Sequence, residues 1–200
     1  MAHPQPPRFD CGHLCLDFLT TTHPEEQLHT PAALRNWITA AHLVPEGTPL
    51  DHITPHWLLG FRELRGHIAR LVRPVPAPVP DRAPDPRTLD LSLARVNDLA
   101  RAATPAPRAV RSTDGTLVRA LDRAPDRASL LALIARDTVE LLTDPDACAS
   151  LRQCAGDNCP VVYVDTSRGR RRRWCSSEIC GNRERVARHR RRADLARARA

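Results

Sequence analysis

Through most of the first 145 positions apolar residues return at three- and four-residue intervals, the spacing that gathers them on one face of an α-helix. Thr30 and Pro31 supply an N-cap and a first helical position. Leu34, Trp37, Ile38 and Ala41 follow at helical spacing before Pro45, which predicts a helix over about 31–43. Thr54 and Pro55 repeat the start signal, and Trp57, Leu58, Phe61, Leu64, Ile68 and Leu71 keep one face apolar as far as Pro74. Leu89, Leu93, Val96 and Ala100 predict a short third helix. Asp126 caps a fourth, with Leu130, Leu131, Ile134, Thr138, Leu141 and Leu142 facing inward and Asp144-Pro145 as its stop. Between these two, Val110 to Val118 alternates about Asp114-Gly115, the sequence of a tight hairpin turn. Two stretches fit neither period. Phe9, Leu14, Leu16, Phe18 and Leu19 form an apolar patch within residues 9–22, read as core but too brief to assign to helix or strand. Pro74 to Pro86 holds six prolines in thirteen residues, which excludes regular helix and predicts an extended loop.

After residue 150 the pattern changes. Pro160, Val161, Val162, Tyr163 and Val164 have strand propensity and Asp165 to Gly169 has turn chemistry, so Arg170 to Trp174 is predicted to return as the partner strand. From Asn182 to about Arg199 there is no helix breaker, yet the apolar stripe is little more than Val186, Ala193 and Ala196, with Leu195 to one side. Most of that helix must face water or a partner. The predicted fold is mainly α: a helical N-terminal domain, residues 1–150, with one small β-hairpin, then a finger built of β-hairpin and helix, residues 151–200.

The finger's chemistry comes from Cys154, Cys159, Cys175 and Cys180, a C-x4-C-x15-C-x4-C array. Paired soft thiolates separated by one hairpin's length suit tetrahedral Zn²⁺, and four thiolates close its coordination shell. One structural zinc ion is therefore expected, replacing a hydrophobic core that some fifty residues cannot supply. Gly181 can take a left-handed conformation or let backbone amides approach the last thiolate, and Asn182 can cap the helix that follows. The outline is that of a treble-clef finger. Trp174, beside a ligand, is read as packing over the site.

Charge is local. From Arg152 to Ala200 there are fourteen Arg against five Asp or Glu, net +9, which leaves net −2 for residues 1–151. A basic module on a near-neutral body points to a polyanionic partner. Arg168 and Arg170, Arg171, Arg172 and Arg173 lie in the predicted hairpin. On the last helix Arg185, Arg188 and Arg192 share one face, and Arg183 and Arg190 another. These ten are the candidate nucleic-acid contacts, with double-stranded DNA the leading partner and the helix approaching a groove. Basic zinc modules also suit folded RNA, and zinc release from four thiolates would suit a redox-responsive interaction module. A homodimer follows only from the symmetry of palindromic operators.

No stretch of 18 apolar residues exists and the first residues, MAHPQPPRFD, lack a signal-peptide pattern, so a cytoplasmic protein without membrane contact is expected. Cys11, His13 and Cys15 match no common ligand spacing, and Cys148 reads as a small buried residue. No phosphate-binding glycine loop or nucleophile motif is present, and no enzymatic activity is expected.

Arg152-x-Cys154-x4-Cys159, Tyr163-x-Asp165-x-Ser167, Arg173-Trp174-Cys175 and Cys180-Gly181-Asn182-Arg183 together resemble the CGNR zinc finger over about 45 residues. In that family the finger follows a helical domain named ABATE, in stress-induced transcription regulators of bacteria. Leu14-Cys15-Leu16-Asp17-Phe18-Leu19 and Leu34-x-x-Trp37 are similar to recurrent positions of that domain. The resemblance implies DNA binding by the finger and sensing of a small-molecule effector by residues 1–150.

Overall fold

A computed structural model describes residues 7–74 and 85–198. The body is built from α1 (Leu14–Leu19), α2 (Pro31–Ala40), α3 (Pro55–Leu71), α4 (Pro86–Ala100), the strands β1 (Pro107–Arg111) and β2 (Leu117–Leu121), α5 (Arg127–Thr143) and a short α6 (Pro145–Ala149). The finger holds β3 (Leu151–Gln153), β4 (Val162–Val164), a wide π-type turn over Ser177–Gly181, and α7 (Asn182–Ala198). Among the described residues no helix is long and apolar enough to cross a membrane.

α4 packs on α5 and α3, and α1 lies across α3 and α5, so the predicted apolar faces meet in one core. Phe18 of α1 sits at its centre, 4.9 Å from the Trp37 ring and 6.1 Å from Phe61. The patch at residues 9–22 resolves into α1 followed by a 3-10 turn, Thr20–Thr22. Each of these threonines donates its hydroxyl to the carbonyl three residues back, at 2.7 Å, 2.7 Å and 2.9 Å, a local bond that competes with helix continuation. Caps fall where the sequence put them for α2 and α5: Thr30 accepts from Ala33 N and Asp126 from Ser129 N. Thr54 precedes α3 without a side-chain cap bond.

Several expectations are corrected. Helix α2 ends at Ala40 rather than near residue 43. Pro86, counted within the proline loop, is instead the first residue of α4, capped by Asp85 at Arg87 N; residues 75–84 of that loop lie outside the described set. On α4 the inward positions include Ser92 and Val96, whereas Leu93 is 43% exposed. The Ser92 hydroxyl stands 3.2 Å from the His67 ring of α3, so a polar pair occupies a slot that apolar periodicity assigned to Leu93. The predicted β1–β2 hairpin forms, but its connection is wider than the two-residue Asp114-Gly115 turn, so that Val110 pairs with Val118. Asp114 accepts from the Thr116 amide and hydroxyl, and Gly115 has φ +88°.

The finger's pairing is also corrected. β4 pairs antiparallel with β3, Tyr163 opposite Arg152, and Arg170 to Trp174 forms no strand. Asp165 is the reason: its carboxylate accepts from Ser167 N at 2.9 Å and from Arg172 N at 3.0 Å, which folds 165–172 into a closed loop, and Arg170 has φ +48°. The cap of the last helical segment is Ser176, not Asn182. Its hydroxyl accepts from Glu178 N and Ile179 N, and Asn182 already has helical torsions. Gly181 is not left-handed; its amide donates to Ser176 O at 2.9 Å.

Body and finger share their core. Val164 N donates to Cys11 O at 2.8 Å, and Gly12, with φ +95°, lets Val164 approach to where a Cβ would stand 3.2 Å away. Cys11, Val161, Tyr163 and Val164 are all buried in the cluster that contains Phe18 and Phe61.

Candidate metal centre and its basic surround

Four chain segments deliver the cysteines. Cys154 follows β3 and Cys159 closes the tight knuckle between β3 and β4. Cys175 ends the irregular arginine segment, and Cys180 lies in the wide turn that opens into α7. All four are buried, and their Sγ atoms lie within 4.8 Å of one another. Cys159 and Cys175 are 3.7 Å apart at sulfur, and Cys175 and Cys180 are 3.6 Å apart. Thiolates placed tetrahedrally at about 2.3 Å from zinc stand about 3.8 Å apart, whereas a disulfide requires about 2.05 Å. The sulfurs therefore fit a zinc ion, and they are free of disulfides.

The knuckle explains how they stay together. Cys154 N donates to Val161 O at 2.9 Å, and Cys159 N to Gly156 O at 3.1 Å. A Cβ on Gly156 would lie 3.3 Å from Cys180 Cβ and 3.4 Å from its Sγ, so the turn passes close to the sulfur cluster because residue 156 has no side chain. Cys154 Sγ receives Gly156 N at 3.4 Å and Cys175 N at 3.3 Å. Hydrogen bonds from the Cys159 and Cys175 thiols, and then these amides, pull the Cys154 thiol far below its usual range, while burial pushes Cys180 up to about 11. The amides at the start of the last helix serve Ser176, so it is the knuckle and the Cys175 segment, not the helix, that donate to sulfur.

The basic residues divide into two sets. Arg168, Arg170, Arg171, Arg173, Arg183, Arg185, Arg188, Arg190 and Arg192 are exposed. Arg172 is turned inward: its Nε donates to Trp174 O at 2.9 Å, its Nη2 to Asp10 O at 3.2 Å and to Cys175 O, and its guanidinium lies 4.3 Å from the Tyr163 ring centre. Tyr163, fully buried, donates its hydroxyl to Arg172 O at 2.6 Å. Arg172 thus braces the segment that carries Cys175. Trp174 is half-buried, with Arg173 over its ring at 5.4 Å. On α7, Arg191 reaches Glu184 at 3.7 Å and Val186 is 43% exposed. The side chains of Ala193, Leu195 and Ala196 lie outside the described set.

Residues that periodicity and motif reading passed over complete the centre. Arg8 donates to Cys175 Sγ at 3.1 Å from 167 residues away. Ser176 and Gly156 shape the loops together with Asp165 of the Tyr163-x-Asp165-x-Ser167 motif; the signals for the first two were a Ser-Ser-Glu run and a glycine inside the first cysteine pair. The cysteines set aside lie in polar surroundings of their own, Cys11 beside Asp10 and Asp17. Cys11 N donates to Asp17 Oδ1 at 2.9 Å, and burial pushes the Asp17 carboxyl up to about 6. His13 and Cys15 N both meet Asp137, at 3.2 Å and 2.7 Å, and Cys148 donates to Leu141 O at 3.2 Å.

Where body meets finger there is a cleft of about 380 Å³. Leu16, Leu19 and Val72 of the body and Val161 of the knuckle give it apolar walls, and Thr22, His23 and Arg62 give it polar ones.

A helical body that shares its core with a four-cysteine finger defines a helical zinc-finger protein. The chain belongs to the ABATE family, described as "putative stress-induced transcription regulator", whose model matches residues 12–145, and residues 150–193 match the CGNR zinc finger. No curated protein matches the chain.

Proposed function

We propose that this protein is a zinc-dependent, DNA-binding transcription regulator whose finger and α7 contact duplex DNA. The observation that carries the reading is the placement of exposed arginines on two separate elements beside one metal centre. Arg168, Arg170, Arg171 and Arg173 lie on the loop before Cys175, and Arg183, Arg185, Arg188, Arg190 and Arg192 lie on the helix after Cys180. Zinc fixes the origin of both elements, so their charges stand at set distances, as a phosphate backbone requires. The family's description as transcription regulators supports the same reading.

Binding of the zinc-loaded chain to duplex DNA, titrated over a salt series with folded RNA as competitor, tests it. Replacing Arg170, Arg171 and Arg173 by Gln should weaken all duplex sequences similarly and flatten the plot of log K against log salt by about 0.9 for each phosphate no longer neutralised. Arg172 is left in place because it holds the Cys175 segment. An unaltered slope, or a preference for RNA, rejects the proposal.

For the body we propose effector sensing, supported by the cleft between α1, α3 and the knuckle. Its mostly apolar walls favour a small apolar compound. Such compounds should raise the melting temperature of the wild type but not of Gly66→Leu. That substitution fills the cleft from α3, where a Cβ meets only Arg70 Nη1 at 3.8 Å within 4 Å. Equal shifts in both proteins exclude the cleft.

A further inference from the structure

Fourteen arginines lie between residues 152 and 200, yet the side chain that hydrogen-bonds a metal-binding sulfur comes from the other end of the chain. Among the described residues Arg8 is the one cationic side chain in hydrogen-bond contact with the sulfur cluster, Nη1 to Cys175 Sγ at 3.1 Å. Its own side chain is only 15% exposed. A zinc ion with four thiolates carries a net charge of −2, and burying that charge without a counter-charge is unfavourable. Two backbone amides serve Cys154, but amides bring no net charge. Arg8 does.

Arg8 is in turn held by the segment that follows it. Its Nη2 bridges both carboxylate oxygens of Asp10, at 3.0 Å and 3.1 Å. Arg172, which braces Cys175, also donates to the Asp10 carbonyl. One residue on, Cys11 is buried, gives its carbonyl to Val164 N of β4 and takes Asp17 of α1 on its amide. Residues 8–12 therefore run as a strap from a zinc ligand to the first helix of the body.

We propose that Arg8 is a positioning residue of the zinc centre, and that residues 8–12 form a zinc-dependent clasp fastening the body to the finger through the Cys175 thiolate. Zinc fixes the Cys175 sulfur within a closed set of four, and Arg8 Nη1 meets it there at 3.1 Å; without the metal only the loop keeps that sulfur against the nearly buried guanidinium. Arg8 Nε is buried and, among the described residues, has no hydrogen-bond partner that could compensate. Metal occupancy thereby reaches α1 through a chain of hydrogen bonds, independently of what the finger binds.

The test uses the full chain and needs no nucleic acid. Zinc release to a chromogenic chelator is timed for wild type, Arg8→Ala and Arg8→Lys. Amide hydrogen exchange is followed at Cys11, in α1 and at Val164, with and without zinc. Arg8→Ala should release zinc about 10- to 100-fold faster if the loss of affinity typical on removing a hydrogen-bonding partner of a ligand falls on the off-rate. Arg8→Lys, which keeps the charge, should recover most of that. In the zinc-loaded Arg8→Ala protein, Cys11 and α1 should exchange as fast as in zinc-stripped wild type while Tyr163 stays protected, a pattern that loss of the finger's fold would not give. Unchanged release in Arg8→Ala overturns the proposal. So does equal acceleration in both variants, or exchange at Cys11 that ignores zinc.

Discussion

Removing the metal should unfold the finger and leave α3, α4 and α5 of the body folded. Chelation, or Cys175→Ser, takes away the one element that joins four chain segments whose own apolar residues are few. Among the described residues, Leu151, Val161, Tyr163 and Val164 are the buried hydrophobic residues of the finger apart from its cysteines. Zinc binding in modules of this size contributes on the order of 10–16 kcal/mol of apparent free energy, far more than four side chains at about 1.5–3 kcal/mol each can supply once chain entropy is opposed. Amide exchange at Tyr163 and Val164 reads the finger, and the cooperative melt of the helical signal reads the body. Amides of β4 that remain protected in chelator would show that the core shared with the body, rather than zinc, holds the finger.

The second large effect lies in the body. Arg65, 5% exposed in the middle of α3, donates to Thr21 Oγ1 at 2.6 Å and to Glu26 Oε1 at 3.0 Å, with its other nitrogen also on Glu26, and lies 5.9 Å from the Phe18 ring. The partners are unequal: the Glu26 side chain is 38% exposed and can be rehydrated, whereas Arg65 cannot. Glu26→Gln should therefore cost about 3–5 kcal/mol by leaving a buried charge uncompensated, and Arg65→Met distinctly less, because it removes the buried charge itself. Chemical denaturation of the two variants decides; equal costs would contradict the asymmetry. pH adds a second check. Burial raises the Glu26 carboxyl, but hydrogen bonds from Arg65 and Leu28 N outweigh it and hold the group below its ordinary value of 4.5. A depressed folded pKa stabilises above the unfolded value and is lost as pH falls through the folded one. The destabilisation by Glu26→Gln should accordingly shrink as pH falls below 4.5 and through the lower folded value.

Helix placement in the body was legible because it depends on short-range information. Thr30-Pro31 and Asp126 cap where they stand, and Trp37, Phe61, Ile68, Leu130 and Ile134 are buried as their spacing requires. Three of the misjudged places are ones where a polar side chain took a structural position. Ser92 displaced Leu93 from the α4 interface, Asp165 replaced a strand partner for residues 170–172, and Ser176 took the cap assigned to Asn182. In each case a side chain binds backbone or another side chain at a distance that hydrophobic periodicity does not register.

Four cysteines at fixed spacing determine the zinc site by themselves, since soft thiolates in two close pairs have few other uses, and the arginine count alone sets the finger's charge. Tertiary structure alone decided which of those charges are free. Arg172, indistinguishable in sequence from Arg171 and Arg173, folds over Tyr163 onto three carbonyls, while a lone arginine at position 8 reaches the metal centre. The reason is physical: ligand spacing is a property of chain length between neighbours. Which cation neutralises a buried cluster depends on which backbone the shared core brings within about 3 Å of it, and that is settled only when body and finger pack.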